Sequence, residues 1–244
     1  MDNDELRELE KRLAEIKLAK LAFEDRMHHL QMSMLTSVAR QVLPGGYWSK
    51  NLRHHDDHTA HGVNLTFDDG PEPATTSRLI EILADEGVKA AFFFLGQNAR
   101  RHPHLVEAVY KAGHTVANHS MSHPFLPLKS VSEIEVEIDQ TNAILRDITG
   151  EAPTLFRPPY GIMDSRLTSI LAERRMSAVY WNNVANDWMP IGAEAVVERV
   201  LRRLPQDRLI VLHEEWSIAG QCLAATSEIL KRTKAMGLNF EAIR

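Results

Sequence analysis

Two short polar stretches of the chain carry the residue types of a metal site. Asp68 and Asp69 open the turn Asp-Asp-Gly-Pro, and His119 and His123 lie four residues apart. Two imidazoles at that spacing can share one face of a helical turn, and two histidines with one carboxylate leave a coordination position open in catalytic zinc sites. One aspartate could then bind the metal while its neighbour accepts a proton from water held there.

Each stretch also has an ordinary structural interpretation. Asp, Gly and Pro are common turn residues, and an isolated histidine pair is more often a surface or capping feature than a pair of ligands. A third polar cluster contains His54, His55, Asp56, Asp57, His58 and His61. We interpret it as part of a linker, and a second metal site is the alternative.

Short apolar runs alternate with helical segments from residue 63 onward. The runs predict strands at 63–67, 90–95, 115–117, 154–157, 178–181, 209–212 and 239–243. The segments between them predict helices at 75–86, 104–112, 131–149, 165–175, 193–203 and 223–236. This alternation predicts an α/β fold with a parallel sheet, most simply a (β/α) barrel of about seven strands.

The residues that follow the predicted strands are unusually polar. They lie at 68–71, 118–123, 157–161, 186–188 and 213–215. In (β/α) barrels the reacting groups sit beyond the carboxyl ends of the strands, so the fold would gather these segments on one rim. That convergence favours the metal interpretation over separate turns.

The first part of the chain has a different pattern. Residues 5–43 contain no Gly or Pro and predict one helix that ends at Pro44. Apolar residues follow steps of three and four, with Lys20 as an interruption: Leu6, Leu9, Leu13, Ile16, Phe23, Met27, Leu30 and Met34. This spacing predicts a coiled coil that forms a homo-oligomer through residues 6–34, and a helix packed on its own domain is the alternative. The predicted organisation is a helical segment at 1–46, a linker at 47–61 and a barrel at 62–244.

Composition excludes several classes of protein. The 244 residues carry a formal net charge of -5, which is not typical of a nucleic-acid-binding domain. Cys222 is the single cysteine, so an intrachain disulfide and a cysteine-rich metal site are excluded. The acidic N-terminus lacks the features of a signal peptide, and the sequence has no apolar run of about 18 residues, so we expect a cytoplasmic protein. Membrane contact would be limited to the amphipathic N-terminal helix.

Five segments of the sequence resemble, in order, the five motifs of the NodB-like polysaccharide deacetylases, carbohydrate esterase family 4. They are Thr66-Phe67-Asp68-Asp69-Gly70-Pro71, His119-Ser-Met-Ser-His123, Arg157-Pro-Pro-Tyr160-Gly161, Asp187-Trp188 and Val211-Leu-His213. The resemblance runs from about residue 63 to the end of the chain. It implies a distorted (β/α) barrel with fewer than eight strands.

The resemblance also implies a metal centre and a general base. Asp69, His119 and His123 would hold one divalent metal per chain, usually zinc. Asp68 would be the base, and Arg157 would orient it.

The remaining implied roles concern the leaving group and the acyl group. His213 would be the acid that protonates the leaving amine, and Asp187 would hold its imidazole. The backbone N–H of Tyr160 would stabilise the oxyanion, while Trp188 and Leu212 would wall a small acyl pocket.

The predicted function is therefore metal-dependent N-deacetylation of an acetamido sugar, with an N-acylated sugar as the partner. The chain departs from the family pattern at Val184, where a further Asp is frequent, and at Glu214, where Asp is common. Two alternatives remain open. One is deformylation of a formamido sugar, and the other is a catalytically silent sugar-binding barrel that acts as a scaffold. The expected cytoplasmic location favours a biosynthetic intermediate as the substrate.

Overall fold

The structure is a computed structural model and describes residues 62–243. Within them, seven parallel strands form one curled sheet with the order β5-β4-β3-β2-β1-β7-β6. The strands are β1 (Asn64–Asp68), β2 (Ala91–Phe94), β3 (Thr115–Asn118), β4 (Leu155–Phe156), β5 (Ser177–Ala178), β6 (Asn183–Val184) and β7 (Leu209–His213). Since β5 and β6 are the two edges, the sheet is an open half-barrel, which confirms the predicted distorted α/β architecture.

Helices connect the strands. The α-helices are α1 (Thr76–Asp85), α2 (Gly96–Arg101), α3 (Pro103–Lys111), α4 (Val131–Thr149), α5 (Ser165–Glu173), α6 (Ala193–Arg203) and α7 (Ala219–Ala235). Three short 3-10 helices follow strands β3, β4 and β7: η1 (Leu126–Leu128), η2 (Pro159–Gly161) and η3 (Trp216–Ile218). None of the helices within residues 62–243 combines the length and the apolar character that crossing a bilayer requires.

The two faces of the sheet have different side chains because successive strand residues point to opposite sides. On β1, Leu65 and Phe67 join the main hydrophobic cluster, in which Phe67 stacks on Phe92 with ring centroids 5.0 Å apart. Thr66 and Asp68 alternate with them and are also buried. The strand therefore places an apolar set against the helices and a polar set on the face that leads to the rim.

The parallel register brings the ends of the strands together. Asp68 at the end of β1 pairs with His213 at the end of β7. Asn118 at the end of β3 pairs with Phe94 of β2 and Phe156 of β4. The polar segments that follow these strands consequently meet on one rim, as the sequence predicts.

The structure also corrects two details of the predicted elements. The predicted strand at 239–243 is wrong, because this segment contributes only an isolated bridge from Phe240 to Val63. Strand β6 and helix α2 were not predicted. A two-residue edge strand is too short to show alternation, and α2, with the sequence GQNARR, has no apolar period.

Several predictions concern residues outside the described range. The N-terminal helix and coiled coil, the linker at 47–61 and the histidine cluster at 54–61 all lie there, so oligomerisation through residues 6–34 stays a prediction. Cys222, the single cysteine of the sequence, is a free thiol and is buried.

Helix α4 provides a direct test of how the rim is supported. Ile138 is fully buried against the cluster that contains Phe156 and Leu167, whereas Val136 on the same helix is 51% exposed. We expect Ile138→Ala to lower the free energy of unfolding by about 2–5 kcal/mol. Val136→Ala is the control and should change it by less than about 0.5 kcal/mol. Urea denaturation measures both, and equal losses would contradict the packing described.

Candidate active site

Arg157 lies at the centre of the rim and is fully buried. Its guanidinium donates to Asp68 Oδ1 at 2.5 Å and to the hydroxyl of Thr66 at 2.8 Å. The same group stacks over the ring of Phe93, 4.0 Å from its centroid. Arg157 and Asp68 form a buried ion pair. Burial lowers the pKa of Arg157, and the Asp68 carboxylate acts in the opposite direction. The pair fixes Asp68 in one orientation.

Asp69, the next residue, faces two imidazoles. Its Oδ1 lies 3.6 Å from His119 Nε2 and 3.8 Å from His123 Nε2. All three ligand atoms lie within 4.8 Å of one another, and Asp69 Oδ1 is buried without a hydrogen-bond partner among residues 62–243. Two ligand atoms about 2 Å from a tetrahedral ion lie roughly 3.3 Å apart. The unpartnered carboxylate and the donor types therefore fit a divalent cation such as zinc.

The imidazole of His119 is held in a single orientation. Its Nδ1 lies 2.7 Å from the carbonyl oxygen of Arg157, and since a carbonyl can only accept, Nδ1 donates the proton. This leaves the Nε2 lone pair directed towards Asp69, the arrangement that second-shell carbonyls impose on histidine ligands. Burial lowers the pKa of both His119 and His123, which favours the neutral imidazoles that bind metals.

Neighbouring residues shape the loop between the two histidines. The side chain of Asn118 donates to the carbonyl of Ile138 at 3.0 Å, and its oxygen accepts from the backbone N–H of Ser120 at 2.7 Å. Glu137 on α4 accepts from the backbone N–H of Met121 at 2.8 Å. The loop is thus anchored to α4 at two points. His119 and His123 do not lie on a helix, so the four-residue spacing works through this tight loop instead.

His213 and Asp187 form the second polar pair of the rim. The Nδ1 of His213 lies 2.9 Å from Asp187 Oδ1, and the backbone N–H of His213 donates to Asp187 Oδ2 at 2.7 Å. Burial acts to lower the pKa of His213, but the adjacent Asp187 carboxylate outweighs it and raises the pKa to about 9. The imidazole is therefore protonated near neutral pH and can donate a proton.

Two exposed aromatic side chains border these groups. The ring of Tyr160 packs against His123 with centroids 4.5 Å apart, and Tyr160 adopts a left-handed backbone with φ of 60°. The ring of Trp188 meets His213 edge to face at 5.2 Å. Tyr160 thus lies beside the metal-ligand cluster, and Trp188 lies beside the candidate acid.

Leu212 does not occupy the position predicted for it. It is fully buried in the cluster between the sheet and the helices, together with Leu65 and Phe67. Because side chains alternate along a strand, Val211 rather than Leu212 shares the face of His213. Leu212 therefore lies on the face of β7 opposite His213, which disagrees with its predicted position, and Val211 lies on the face of His213.

Glu214 is a site residue for which sequence reasoning found no role. Its Oε2 accepts from the hydroxyls of Thr75 at 2.8 Å and Thr76 at 2.6 Å, while its backbone N–H donates to the carbonyl of Asp68 at 2.9 Å. A Cβ at Gly70 would lie 2.1 Å from Glu214 Oε1, so a larger residue there would displace this carboxylate. Burial raises the pKa of Glu214 to about 7, although the hydrogen bonds from Thr76 and Thr75 act to lower it. Glu214 thus ties β7 to the end of β1 and to the start of α1, on either side of the Asp-Asp turn.

Comparison with known proteins identifies the family of the chain. Residues 55–179, slightly more than half of the 244, match the family model described as polysaccharide deacetylase. The chain belongs to the polysaccharide deacetylase family. This match contains the turn of Asp68, His119, His123 and Arg157, and it ends before Asp187.

Individual relatives extend the similarity of this deacetylase-family chain. The chitooligosaccharide deacetylase of Sinorhizobium fredii is 35% identical over 182 residues, which cover 70% of this chain and 85% of the relative. The peptidoglycan-N-acetylmuramic acid deacetylase PdaC of Bacillus subtilis is 35% identical over 181 residues. These cover 74% of this chain but 38% of PdaC, so the chain spans less than half of that relative's length.

A solved structure supports the fold assignment. The family 4 carbohydrate esterase from Streptomyces lividans, in complex with acetate, superposes with a TM-score of 0.70 at 34% identity. The match covers 76% of this chain and 94% of the esterase. The curled seven-stranded sheet of residues 62–243 is therefore the fold of carbohydrate esterase family 4.

The metal centre makes a prediction that does not depend on catalysis. We expect the full chain to bind one zinc ion, measured by calorimetry and by elemental analysis after dialysis. His119→Ala should weaken binding by at least about 100-fold, since even loss of an outer-shell partner costs about 10- to 100-fold.

The exposed His104→Ala is the matched control and should leave binding unchanged. Retention of full affinity by the His119 variant would contradict the assigned ligand set. A second equivalent of zinc that is lost on joint replacement of His54 and His58 would instead establish a site in the N-terminal cluster.

Proposed function

We propose that this protein is a metal-dependent hydrolase that removes the N-acetyl group from an acetamido sugar in an oligo- or polysaccharide. Asp68 is the proposed general base and His213 the general acid. Two relatives support the reaction class. The protein from S. fredii is described as a chitooligosaccharide deacetylase, and the protein from B. subtilis as a peptidoglycan-N-acetylmuramic acid deacetylase.

One observation carries this proposal: two adjacent aspartates occupy different environments. Asp68 is 1% exposed and paired with Arg157, whereas Asp69 Oδ1 has no hydrogen bond among the described residues and faces two imidazoles. An arrangement that served only to close a turn would not require a buried guanidinium for one carboxylate and, for the other, two histidines of which His119 is buried and His123 partly buried. Different environments for neighbouring acids are typical of divided catalytic roles.

Asp69, His119 and His123 are the residues that would hold the cation, which we propose to be zinc. When bound, such an ion supplies Lewis-acid chemistry, polarising the acyl oxygen and making water a better nucleophile near neutral pH. Asp68 accepts the proton of the attacking water. Arg157 bonds Oδ1 of Asp68. The other carboxylate oxygen, Oδ2, lies 3.8 Å from His119 Nε2 and so faces Asp69, His119 and His123.

His213 completes the reaction on the leaving-group side. An amine leaves poorly unless it is protonated, so the acid must carry a proton while Asp68 is ionised. Asp187 supplies the negative charge that keeps His213 protonated and orients its ring through Nδ1, which leaves Nε2 to donate to the amine nitrogen. The proposed base is the last residue of β1 and the proposed acid is the last residue of β7. These two strands are paired, and the two residues lie directly opposite each other in the register.

The reaction also requires a hydrogen-bond donor for the oxyanion and a space for the acyl group. We assign the backbone N–H of Tyr160 as the oxyanion donor, since its left-handed turn lies beside His123. One such donor contributes about 3 kcal/mol to transition-state stabilisation. Trp188, next to His213, and Val211, on the same face of β7, border the space left for a small acyl group.

The first functional test is acid release from N-acetylated and N-formylated oligosaccharides by the zinc-loaded protein. We expect acetate release, and Asp68→Asn should reduce kcat by about 100- to 10,000-fold, because general base catalysis contributes that much. The variant keeps the size of the side chain, so zinc binding measured by calorimetry should persist.

The acid that is released distinguishes the alternatives. Release of formate only would identify a deformylase. Stoichiometric zinc and glycan binding without release of either acid would favour the silent sugar-binding barrel.

The pH profile tests the role of Asp187. The pKa of about 9 for His213 predicts that kcat/KM falls as pH rises through about 9, because the acid loses its proton there. Asp187→Asn removes the anion, so the alkaline limb should move to lower pH by about one to three units. The exposed Asp85→Asn is the control for a general loss of charge. An unchanged alkaline limb would contradict the assignment of His213 as the acid.

A further inference from the structure

Trp216 is the most exposed aromatic side chain among residues 62–243. It is 75% exposed and begins η3, three residues after His213. Two other aromatic residues are exposed in this part of the chain, Tyr160 at 39% and Trp188 at 39%. All three follow the carboxyl ends of strands that form the catalytic rim, namely β4, β6 and β7. Among residues 62–243 the exposed aromatic side chains thus all lie at the edge of the candidate active site.

The backbone that carries Trp216 is held on both sides. Ile218 is 4% exposed, and its backbone N–H donates to the carbonyl of Glu215 at 3.2 Å. The side chain of Gln221 donates to the carbonyls of Asp187 at 2.7 Å and Met189 at 2.9 Å. These contacts join the start of α7 to the loop that carries Trp188. The indole is therefore an exposed group on a fixed support, which lowers the entropic cost of using it for binding.

A packing role does not account for this arrangement. A tryptophan that served the core would bury most of its surface, as Phe67 and Phe92 do at 0% exposure. A single exposed apolar side chain is ordinary, but three exposed aromatic side chains around one candidate active site are typical of ligand contact. The flat indole matches the face of a pyranose ring, where the axial C–H bonds present an apolar surface.

The charge beside the indole narrows the type of ring. Glu215 is exposed and precedes Trp216 directly, and its Oε1 accepts from the hydroxyl of Ser217 at 2.6 Å. Its carboxylate would repel a sugar that carries its own carboxylate, such as a muramic or uronic acid. A neutral ring meets no such penalty.

We infer that Trp216 stacks on an uncharged pyranose ring next to the sugar that is deacetylated. The substrate is accordingly a glycan of at least two rings, with a neutral residue at this position. This inference rests on the proposed deacetylation and adds a second binding position to it.

The test compares Trp216→Ala with Trp216→Phe in the full zinc-loaded chain. The substrates are a tetramer of N-acetylglucosamine and 4-nitrophenyl acetate, an acetyl ester without a sugar ring. For the tetramer, Trp216→Ala should raise KM about tenfold while kcat changes less than twofold, since one aromatic stack is being removed. Trp216→Phe should recover most of the loss, and ester hydrolysis should not change.

Met236→Ala is the matched control, because Met236 is 48% exposed but follows the far end of α7. A second arm uses Glu215→Gln. This variant should reduce the ratio of kcat/KM for the neutral tetramer to kcat/KM for a fragment that contains muramic acid. An unchanged KM for the tetramer in Trp216→Ala, or an equal rise in the Met236 variant, overturns the inference.

Calorimetric binding of the tetramer separates this inference from the proposed function. If the parent chain binds the tetramer but releases no acetate, the proposed function fails. Weaker binding by Trp216→Ala would still support the stacking position in that case, and equal binding by the two proteins would overturn it.

Discussion

The buried ion pair between Arg157 and Asp68 is the interaction on which the site depends. A guanidinium with no exposed surface is costly unless each of its donors finds a partner. Here the side chain bonds Asp68, Thr66 and the carbonyls of Val179 and Tyr180. One residue thereby joins β1 to the segments that follow β4 and β5. The backbone carbonyl of the same residue orients His119, so the proposed base and a proposed metal ligand share a single support.

This pair also explains why two adjacent aspartates can behave differently. Asp68 is paired with Arg157 within the fold, while burial raises the pKa of Asp69, whose Oδ1 has no hydrogen-bond partner among the described residues. A cation bound there would supply the missing positive charge. Glu214 holds the Asp-Asp turn against β7, which keeps the proposed base, metal ligand and acid within one small region.

Much of the fold follows from local patterns in the sequence. The run that ends in Leu65-Thr66-Phe67-Asp68 shows the alternation of a strand with two different faces, and Ser130 with Glu133 forms the capping box that begins α4. Strand β6 has only two residues, and the segment at 239–243 has a strand-like composition without a neighbour to extend the ladder. Whether such a short segment pairs depends on the edge available to it, which local composition does not contain.

The sequence by itself determined the residue types of the site and their spacing within each motif, because the Asp-Asp turn and the two histidines are each local. Tertiary structure alone decided the long-range pairs. His213 meets Asp187 across 26 residues, and Glu214 meets Thr75 across 139. It also decided that Leu212 lies in the core and that Trp216 remains in solvent. The reason is physical: spacing sets which side chains share a turn, whereas burial and charge compensation depend on which strands become neighbours.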